Sequence, residues 1–355
     1  MPFRPFPSIE QFRHCVADVT HRARYVGRDS EGQPLYDAAL PLPSLVFEGT
    51  VKLHGTNSAV RLEPTASGWR LVPQSRQRDI SVEDDNAGFA AWVQAHEADL
   101  APLLVELAEV AAHGIADVRS VTFFGEWVGQ RVNGKTGIGR LSERWVLFNV
   151  AVDTEEEAFW PELLDVRARS TFDLACANAF GLFFIKDFKT WQVAIDFNHP
   201  EAALEVLEGL TLDVEALCPV AAAMGSEGIG EGIVWTIKTE GYGHLRFKTK
   251  GLKHKGTKSA RLVEVAPEVM ASRQAFVDAV VTESRLEQGL AYLVEQGLSV
   301  SRDNIGAYLQ WFGGDVLKEE SDTMKASGLE KQDVMKSVSN AAKAWFLARV
   351  NPMAV

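Results

Sequence analysis

Short runs of β-branched and aromatic residues recur through the first 260 positions, and segments with apolar residues at helical spacing separate them. Such runs are typical of strands, and apolar residues three or four apart are typical of helices. Residues 64–68 contain Pro and Gly and predict a turn between two strands, and Gly241 with Gly243 predicts another. We predict strands at residues 45–51, 58–62, 69–72, 121–128, 145–152, 182–185, 232–237 and 244–248.

The same pattern predicts helices between the strands. Ser8 and Gln11 have the spacing of a capping box, which marks a helix N-terminus. Apolar residues follow at helical spacing, namely Ile9, Phe12, Val16 and Val19. Further helices are predicted near residues 86–96 and 100–112, and residues 157–225 are expected to be mostly helical around the strand at 182–185. Residues 27–43, rich in Gly, Pro and Asp, are expected to form a loop.

The pattern changes after Ala260, where helical repeats dominate and β-branched runs become rare. Ser327 and Glu330 have the spacing of a second capping box. One face of the helix that follows is apolar, at Val334, Val338, Ala341 and Trp345. We therefore predict a mixed α and β domain at residues 1–258, followed by a helical C-terminal domain at residues 259–355.

The composition is that of a soluble globular protein, with 46 % hydrophobic and 24 % charged residues among 355. The most apolar stretches, such as residues 101–112, are interrupted by charges and are shorter than the ~20 apolar residues of a membrane span. Residues 1–9 contain no apolar segment of signal-peptide length. We expect a cytoplasmic protein with no membrane partner. Cys15, Cys176 and Cys218 are odd in number and far apart, which argues against a disulfide framework and a structural zinc site.

The chain is acidic, with 36 Lys or Arg, 48 Asp or Glu and a net charge of −12. Such a balance argues against a generic polyanion binder, so any phosphate chemistry requires a local cluster of basic residues. Residues 238–258 contain seven Lys or Arg and one acid, Glu240. A solvated basic loop is the simpler interpretation of that segment taken by itself.

Several weak motifs occur in a definite order along the α+β part. Residues 52–57 read Lys-Leu-His-Gly-Thr-Asn, which alone would suit a turn between two strands. Arg76 follows the first strand pair, Glu126 lies in a predicted strand, and Phe148 lies in the next one. Glu231 then precedes a strand, and Lys248 and Lys250 end the last one.

These residue types suit the transfer of a nucleotide. A lysine amine can form a covalent intermediate when it is deprotonated, and neighbouring cations favour that state. Lys248 and Lys250 are two apart on a strand and therefore share one face with Arg246, where they can bind phosphates. The other groups are an arginine for a phosphate, two carboxylates for Mg²⁺ or a ribose, and an aromatic ring for a purine: Arg76, Glu126, Glu231 and Phe148.

With its motifs in this order, the segment 45–250 resembles the covalent nucleotidyltransferases, which include polynucleotide ligases and mRNA capping enzymes. Within them it is most similar to the nick-sealing RNA ligases of the bacteriophage RNA ligase 2 type, whose nucleophile motif reads Lys-x-His-Gly-Thr-Asn. The resemblance implies an α+β nucleotidyltransferase domain with an ATP-grasp-like ligase fold of antiparallel sheets and flanking helices. It also implies ATP as the AMP donor, and Mg²⁺ or Mn²⁺.

The resemblance also implies a role for each motif residue. Lys52 would attack the α-phosphate of ATP, and His54, Lys248 and Lys250 would complete the catalytic set. Glu231 and Glu126 would hold the metal ion, although Glu126 could instead be an ordinary exposed strand residue and Phe148 an ordinary core residue. The nucleotide would contact Leu53, Thr56, Asn57, Arg76, Glu126 and Phe148.

Two positions depart from the pattern of the phage-type ligases. Val51 stands where they often have Glu, and Asn149 stands where they usually have an acid, which puts one purine contact and one charge in doubt. Many DNA ligases and capping enzymes carry an all-β OB-fold after the transferase domain. The phage-type RNA ligases carry a helical domain there instead, and the helical pattern after residue 259 agrees with them.

The resemblance implies an ATP-dependent RNA ligase that seals 3′-hydroxyl and 5′-phosphate ends through a Lys52–AMP and an RNA-adenylate intermediate. The implied partner is RNA with such ends, in a nicked duplex, together with an end-healing kinase or phosphatase. A DNA ligase, a capping-type nucleotidyltransferase and a non-catalytic nucleotide- or RNA-binding module remain as alternatives. The sequence leaves the natural RNA substrate open.

Overall fold

The computed structural model describes residues 3–350 except positions 67, 133, 172, 238, 240, 241, 244 and 260. The predicted turn residue Gly241 and the first residue of the last predicted strand, His244, therefore lie outside the described residues. The strands are β1 (Glu10–Gln11), β2 (Tyr25–Arg28), β3 (Pro34–Tyr36), β4 (Ser44–Lys52), β5 (Thr56–Thr65), β6 (Gly68–Ser75), β7 (Ser120–Val128), β8 (Arg144–Asp153), β9 (Ala158–Phe159), β10 (Leu182–Phe184), β11 (Thr190–Asp196), β12 (Gly232–Thr236) and β13 (Arg246–Lys250).

Helices precede, connect and follow these strands. They are α1 (Phe12–Arg24), α2 (Phe89–Ala95), α3 (Glu97–Ala111), α4 (Leu163–Ala168), α5 (Leu174–Ala179), α6 (Leu204–Ala216), α7 (Pro219–Ala223), α8 (Arg273–Val280), α9 (Glu283–Glu295), α10 (Ile305–Ala326) and α11 (Lys331–Val350). In the part of the chain that the structure describes, no helix is long and apolar enough to cross a membrane.

Two mainly antiparallel sheets form the α+β part, as the sequence predicts. The first has the strand order β1-β13-β12-β4-β11, and the second has the order β10-β8-β7-β5-β6, with β9 on β8. Among the strands that the structure describes, only the short edge strands β1 and β10 pair in parallel with a neighbour. One core packs α1, α6 and α7 against the first sheet, and another packs α2 to α5 against the second.

Several predicted elements of the α+β part are wrong in detail. Helix α1 begins at Phe12 without a side-chain cap, and the Ser8 hydroxyl instead accepts a hydrogen bond from Lys318 of α10. The loop predicted at residues 27–43 contains the β2–β3 hairpin. The mostly helical prediction for 157–225 missed β11, whose pairing with β4 joins segments far apart in sequence. Pairing between strands that are far apart in the sequence leaves no signal in the local sequence beyond a weak alternation of apolar and polar residues.

The helical region has its own core, formed by residues of α8, α9, α10 and α11. The apolar face of α11 is confirmed at Val334 and Val338, but it continues through Ala342 and Phe346, one position later than predicted. The second capping box is wrong, because Ser327 ends α10 and its hydroxyl donates to the Thr323 carbonyl over 2.7 Å.

A buried ion network attaches the helical region to the α+β part. Arg13 of α1, which is only 6 % exposed, donates to Asp322 at 2.7 Å and to Glu320 at 3.1 Å. Glu320 is also buried and accepts a second bond, 3.2 Å long, from Arg285 of α9. A buried charge is costly unless it is paired, so this network holds α10 against α1.

We predict that Arg13→Ala lowers the free energy of unfolding by about 3–5 kcal/mol, because it removes one of the two arginines that bond the buried Glu320 and the arginine that bonds Asp322. Urea denaturation followed by circular dichroism measures the change. Arg22→Ala, which removes an exposed i,i+4 pair with Asp18, is the control and should change stability by less than about 1 kcal/mol. Equal effects of the two substitutions would contradict the role given to the network.

Candidate active site

A cavity of about 870 Å³ opens between the two sheets and the helical region. Its volume lies within the usual range of ligand pockets. The cavity brings together every residue for which the sequence predicts a role in catalysis or binding: Lys52, Leu53, His54, Thr56, Asn57, Arg76, Glu126, Phe148, Glu231, Lys248 and Lys250.

The centre of the site is the Glu231 carboxylate, which is buried and contacts three basic groups. Lys52 Nζ lies 2.8 Å from Oε2, Lys250 Nζ lies 3.0 Å from Oε1, and His54 Nδ1 lies 3.2 Å from Oε2. Burial alone would raise the pKa of Glu231, but the charges of Lys250 and Lys52 outweigh it and hold that pKa well below its usual range. The carboxylate is therefore ionised at neutral pH.

Strand register accounts for this convergence. Gly232, the first residue of β12, lies opposite Lys52 of β4 on one side and Lys250 of β13 on the other. Gly232 has φ +153°, and a Cβ there would lie 2.0 Å from the Thr249 carbonyl oxygen. Only glycine fits this position, so the residue beside Glu231 is determined by the close approach of β13.

A second glycine has the same function in the nucleophile motif. A Cβ on Gly55 would lie 2.2 Å from the carbonyl oxygen of Trp127 in β7. The Gly55 N–H also donates to Glu126 Oε1 over 3.0 Å. The segment after Lys52 is thus held against β7, and this close packing explains why a glycine follows His54.

The last strand presents alternate residues to the cavity, as the sequence predicts. Phe247 and Thr249 are buried behind the strand, whereas Arg246, Lys248 and Lys250 line the cavity. The sequence predicts that Arg246 belongs to a row of phosphate-binding cations. In the structure its guanidinium instead lies 5.2 Å from the ring centroid of Phe6. It is also 5.8 Å from the ring of Trp160.

Lys248 and Lys250 have different partners and opposite pKa shifts. Lys248 Nζ lies 3.1 Å from Oε1 of Glu319 on α10. Burial lowers the pKa of Lys248, with Glu319 opposing the shift, whereas Glu231 overcomes burial and raises the pKa of Lys250. Of these two lysines, Lys250 therefore holds its proton more firmly, and Lys248 loses its proton more easily.

Glu126 of β7 is a carboxyl group with an unusual protonation state. It lies opposite Asn57 in the pairing of β5 with β7. Burial raises its pKa to about 7, the Lys52 charge opposes that shift, and the Glu231 charge adds to it. Near neutral pH this group can donate or accept a hydrogen bond.

The predicted nucleotide-binding residues occupy two walls of the cavity. Thr56 Oγ1 donates to Glu295 of α9 over 3.2 Å and accepts from Asn86 over 3.1 Å.

Arg76 is exposed at the rim. Phe148 is half-buried, and its ring meets that of Phe6 edge-on, with centroids 5.0 Å apart. Asn149 bonds the amide of Val150 over 2.8 Å.

Sequence reasoning missed the residues that line the cavity from outside the motifs. Glu295 and Glu319 come from helices of the C-terminal region and look like solvated helix positions in the sequence. Phe6 precedes the first helix and carries no motif. His254 is not among the lining residues but packs on one of them, with its ring centroid 4.9 Å from that of His54, and burial lowers its pKa to about 4. Periodicity on α9 and α10 is the one signal that could have indicated their cavity-facing positions.

The donor set fits a divalent cation only in part. Among the described residues, no group of three or more His, Cys, Asp or Glu is placed to hold a metal ion. Glu231 and Glu126 supply hard oxygen atoms, and Mg²⁺ is commonly held by one or two carboxylates together with phosphate oxygens of a substrate. The site therefore fits a cation that arrives with a phosphate ligand.

Comparison with known proteins identifies one sequence family. A family model described as RNA ligase matches residues 46–250. No curated protein sequence matches.

Solved structures of Naegleria gruberi RNA ligase resemble this chain at low identity. A variant with AMP and manganese is 15 % identical with a TM-score of 0.40, and a variant with ATP and manganese is 12 % identical with a TM-score of 0.44. Each comparison covers 71 % of this chain and 57 % or 58 % of the ligase chain. The chain thus spans little more than half the length of these ligases.

We predict that Glu126→Gln changes how stability depends on pH. The folded protein holds a proton on Glu126 that the unfolded chain releases between pH 4.5 and about 7. The stabilising contribution of this proton is present below pH 4.5 and is lost as the pH rises to 7. Relative to Glu126→Gln, the free energy of unfolding of the unsubstituted protein should fall across this window.

Urea denaturation at several pH values measures the difference between the two proteins. Glu97→Gln, at an exposed position of α3, is the control and should follow the unsubstituted protein. Parallel pH profiles for Glu126→Gln and the unsubstituted protein would contradict the raised pKa.

Proposed function

Since the chain belongs to the RNA ligase family, we propose that it is an ATP-dependent ligase that joins the 3′-hydroxyl and 5′-phosphate ends of RNA. The observation that supports this proposal most strongly is the position of Lys52. Its amine lies 2.8 Å from the Glu231 carboxylate, in a cavity of nucleotide size that Lys248 and Lys250 also line. We further propose that residues 1–258 form the nucleotidyltransferase domain and residues 259–355 a helical domain.

The proposed reaction has three steps. The Lys52 amine attacks the α-phosphorus of ATP, a nitrogen–phosphorus bond forms, and pyrophosphate leaves. The AMP then passes to the 5′-phosphate of RNA, which displaces the Lys52 amine and gives a 5′–5′ anhydride. A 3′-hydroxyl attacks the 5′-phosphorus, AMP leaves, and the phosphodiester forms. The residues contribute positioning and charge stabilisation at phosphorus.

The cationic groups have distinct proposed roles. Lys250 keeps its charge beside Glu231, and Lys248 can exchange Glu319 for a phosphate oxygen. His54 bonds the same carboxylate as Lys52 and holds it in place for the nucleophile. Two charged lysines beside the nucleophile favour release of its proton.

The remaining cavity residues are proposed to hold the nucleotide. Phe148 supplies the aromatic face for adenine, and Glu126 bonds a ribose hydroxyl. Arg76 at the rim binds a phosphate oxygen. Main-chain and side-chain groups that follow the nucleophile line the phosphates, namely Leu53, Thr56 and Asn57.

Magnesium or manganese is the proposed metal. Glu231, with Glu126 when it is ionised, would supply its protein ligands, and the triphosphate would supply the others. The cation would neutralise charge on the phosphates. The two Naegleria ligase structures contain manganese with ATP or AMP, which is consistent with this proposal.

The proposed substrate is RNA with a 5′-phosphate and a 3′-hydroxyl, in a nicked duplex, and an end-healing kinase or phosphatase would supply such ends. Because the net charge of the chain is −12, it would hold RNA through local basic patches such as residues 246–258. A cytoplasmic location and the phage RNA ligase 2 subtype stay predictions from the sequence.

We predict that α-phosphate-labelled ATP with Mg²⁺ labels the protein covalently and that Lys52→Ala abolishes the label, because it removes the nucleophile. A denaturing gel measures labelling, and a nicked 5′-phosphorylated RNA should chase the label as sealed product appears. Lys343→Ala, at an exposed position of α11, is the control and should label normally. Label from GTP or NAD alone would favour a capping-type enzyme or another ligase, and no label with tight ATP binding would favour a non-catalytic module.

We predict that Glu231→Gln slows formation of the protein–AMP adduct by about 10²-fold or more, because an amide cannot balance two lysines or bind a cation as a carboxylate does. Rapid-quench labelling with ATP measures the rate. Glu201→Gln, at an exposed position, is the matched control. An unchanged rate in folded Glu231→Gln would contradict the proposed role of this carboxylate.

A further inference from the structure

Helices α9 and α10 present one face each to the cavity. Most of the cavity-lining residues of α9 follow helical spacing, and the full set is Arg285, Gln288, Ala291, Tyr292, Val294 and Glu295. Those of α10 follow the same spacing at Trp311, Gly314, Asp315, Lys318 and Glu319. The helical region therefore contributes a continuous wall to the candidate active site.

An aromatic pair lies within that wall. The rings of Tyr292 and Trp311 are stacked, with centroids 5.7 Å apart and planes inclined by 23°. Both side chains are half-buried and line the cavity. Trp311 packs on Gly289, where a Cβ would lie 3.2 Å from the indole ring. The pair is thus held in position by close packing of the two helices.

Contacts at both ends of the wall orient the pair toward the motif residues. Glu295, three residues after Tyr292, bonds Thr56 at 3.2 Å. Glu319, eight residues after Trp311, bonds Lys248 at 3.1 Å. Eight residues of helix correspond to about 12 Å along the axis, so Trp311 lies a little over two turns of α10 before the residue that contacts the proposed phosphate-binding lysine.

The charges around the pair favour a base over a phosphate. The two helices bring three carboxylates to the cavity, those of Glu295, Asp315 and Glu319, and two cations, Lys318 and Arg285, of which Arg285 pairs with Asp315 at 3.0 Å. The lining residues of the two helices are therefore negative on balance, which does not favour a phosphate beside the pair. Aromatic side chains stack on bases irrespective of sequence, and removing such a ring typically weakens binding by about five- to 150-fold. The wall is therefore suited to a nucleobase whose phosphate lies at the cations across the cavity.

We propose that Tyr292 and Trp311 form the stacking platform for the nucleobase at the 5′-phosphate end of the RNA. This inference rests on the proposed function, in which two nucleosides must occupy the cavity together, adenosine and the RNA terminus. Phe148 serves the adenine on the wall of the sheets, and the Tyr292–Trp311 platform serves the RNA base on the helical wall. The helical region thereby contributes directly to recognition of the RNA end.

The test is the sealing of a nicked RNA that already carries the 5′-adenylate, with and without the base of its 5′-terminal nucleoside. With the unsubstituted protein, loss of that base should raise KM about tenfold. Trp311→Ala should raise KM about tenfold for the intact substrate, and loss of the base should then have little further effect. Trp311→Phe should restore most of the affinity because it retains an aromatic ring.

Trp345→Ala is the matched control, since Trp345 belongs to the same helical core but does not line the cavity. It should respond to loss of the base as the unsubstituted protein does. The proposal is overturned if loss of the 5′-terminal base raises KM equally for Trp311→Ala and for the unsubstituted protein. It is also overturned if Trp311→Ala instead changes the response of KM to loss of the 3′-terminal base. If the unsubstituted protein neither labels with ATP nor seals RNA, the proposed function fails and the platform falls with it. If it labels and seals normally but Trp311→Ala does too, the platform alone fails.

Discussion

The ion pairs of the buried Glu231 carboxylate are the interaction on which the rest of the site depends. A carboxylate that is 3 % exposed would be strongly destabilising without its basic partners. Its partners come from the end of β4, the turn after β4 and the end of β13. A shift of one residue in either strand pairing would leave a buried charge unpaired. The requirement for charge balance therefore fixes the register that also brings the candidate nucleophile beside Lys250.

The helical region continues this electrostatic arrangement. Glu319 neutralises Lys248, and the adjacent Glu320 lies in the buried network with Arg13 and Arg285. The same stretch of α10 thus attaches the helical region to α1 and covers a cation of the site. A polyphosphate that binds Lys248 would have to replace Glu319, which favours ligands with several negative charges over single anions.

Much of the α+β architecture follows from local sequence, because β-branched runs identify β4, β5, β7, β8 and β12. The motif residues that carry the family resemblance all line one cavity, whereas the lining residues outside the motifs were not predicted. The β11 strand and the start of α1 were not predictable locally, because pairing with β4 and a contact with Lys318 determine them. The carboxylates of Glu295 and Glu319 were missed for a similar reason. Their partners Thr56 and Lys248 lie far away in the sequence, and an isolated acid on a helix is ordinarily solvated.

Lys52, and neither of the two lysines beside it, is the residue proposed to carry the nucleotide. Tandem mass spectrometry of the protein after incubation with ATP and Mg²⁺ tests this assignment directly, because peptide fragments locate the modified side chain. We predict the mass of one AMP on Lys52 and an unmodified Lys248 and Lys250. AMP on either of those two lysines, or no adduct on the folded protein, would contradict it.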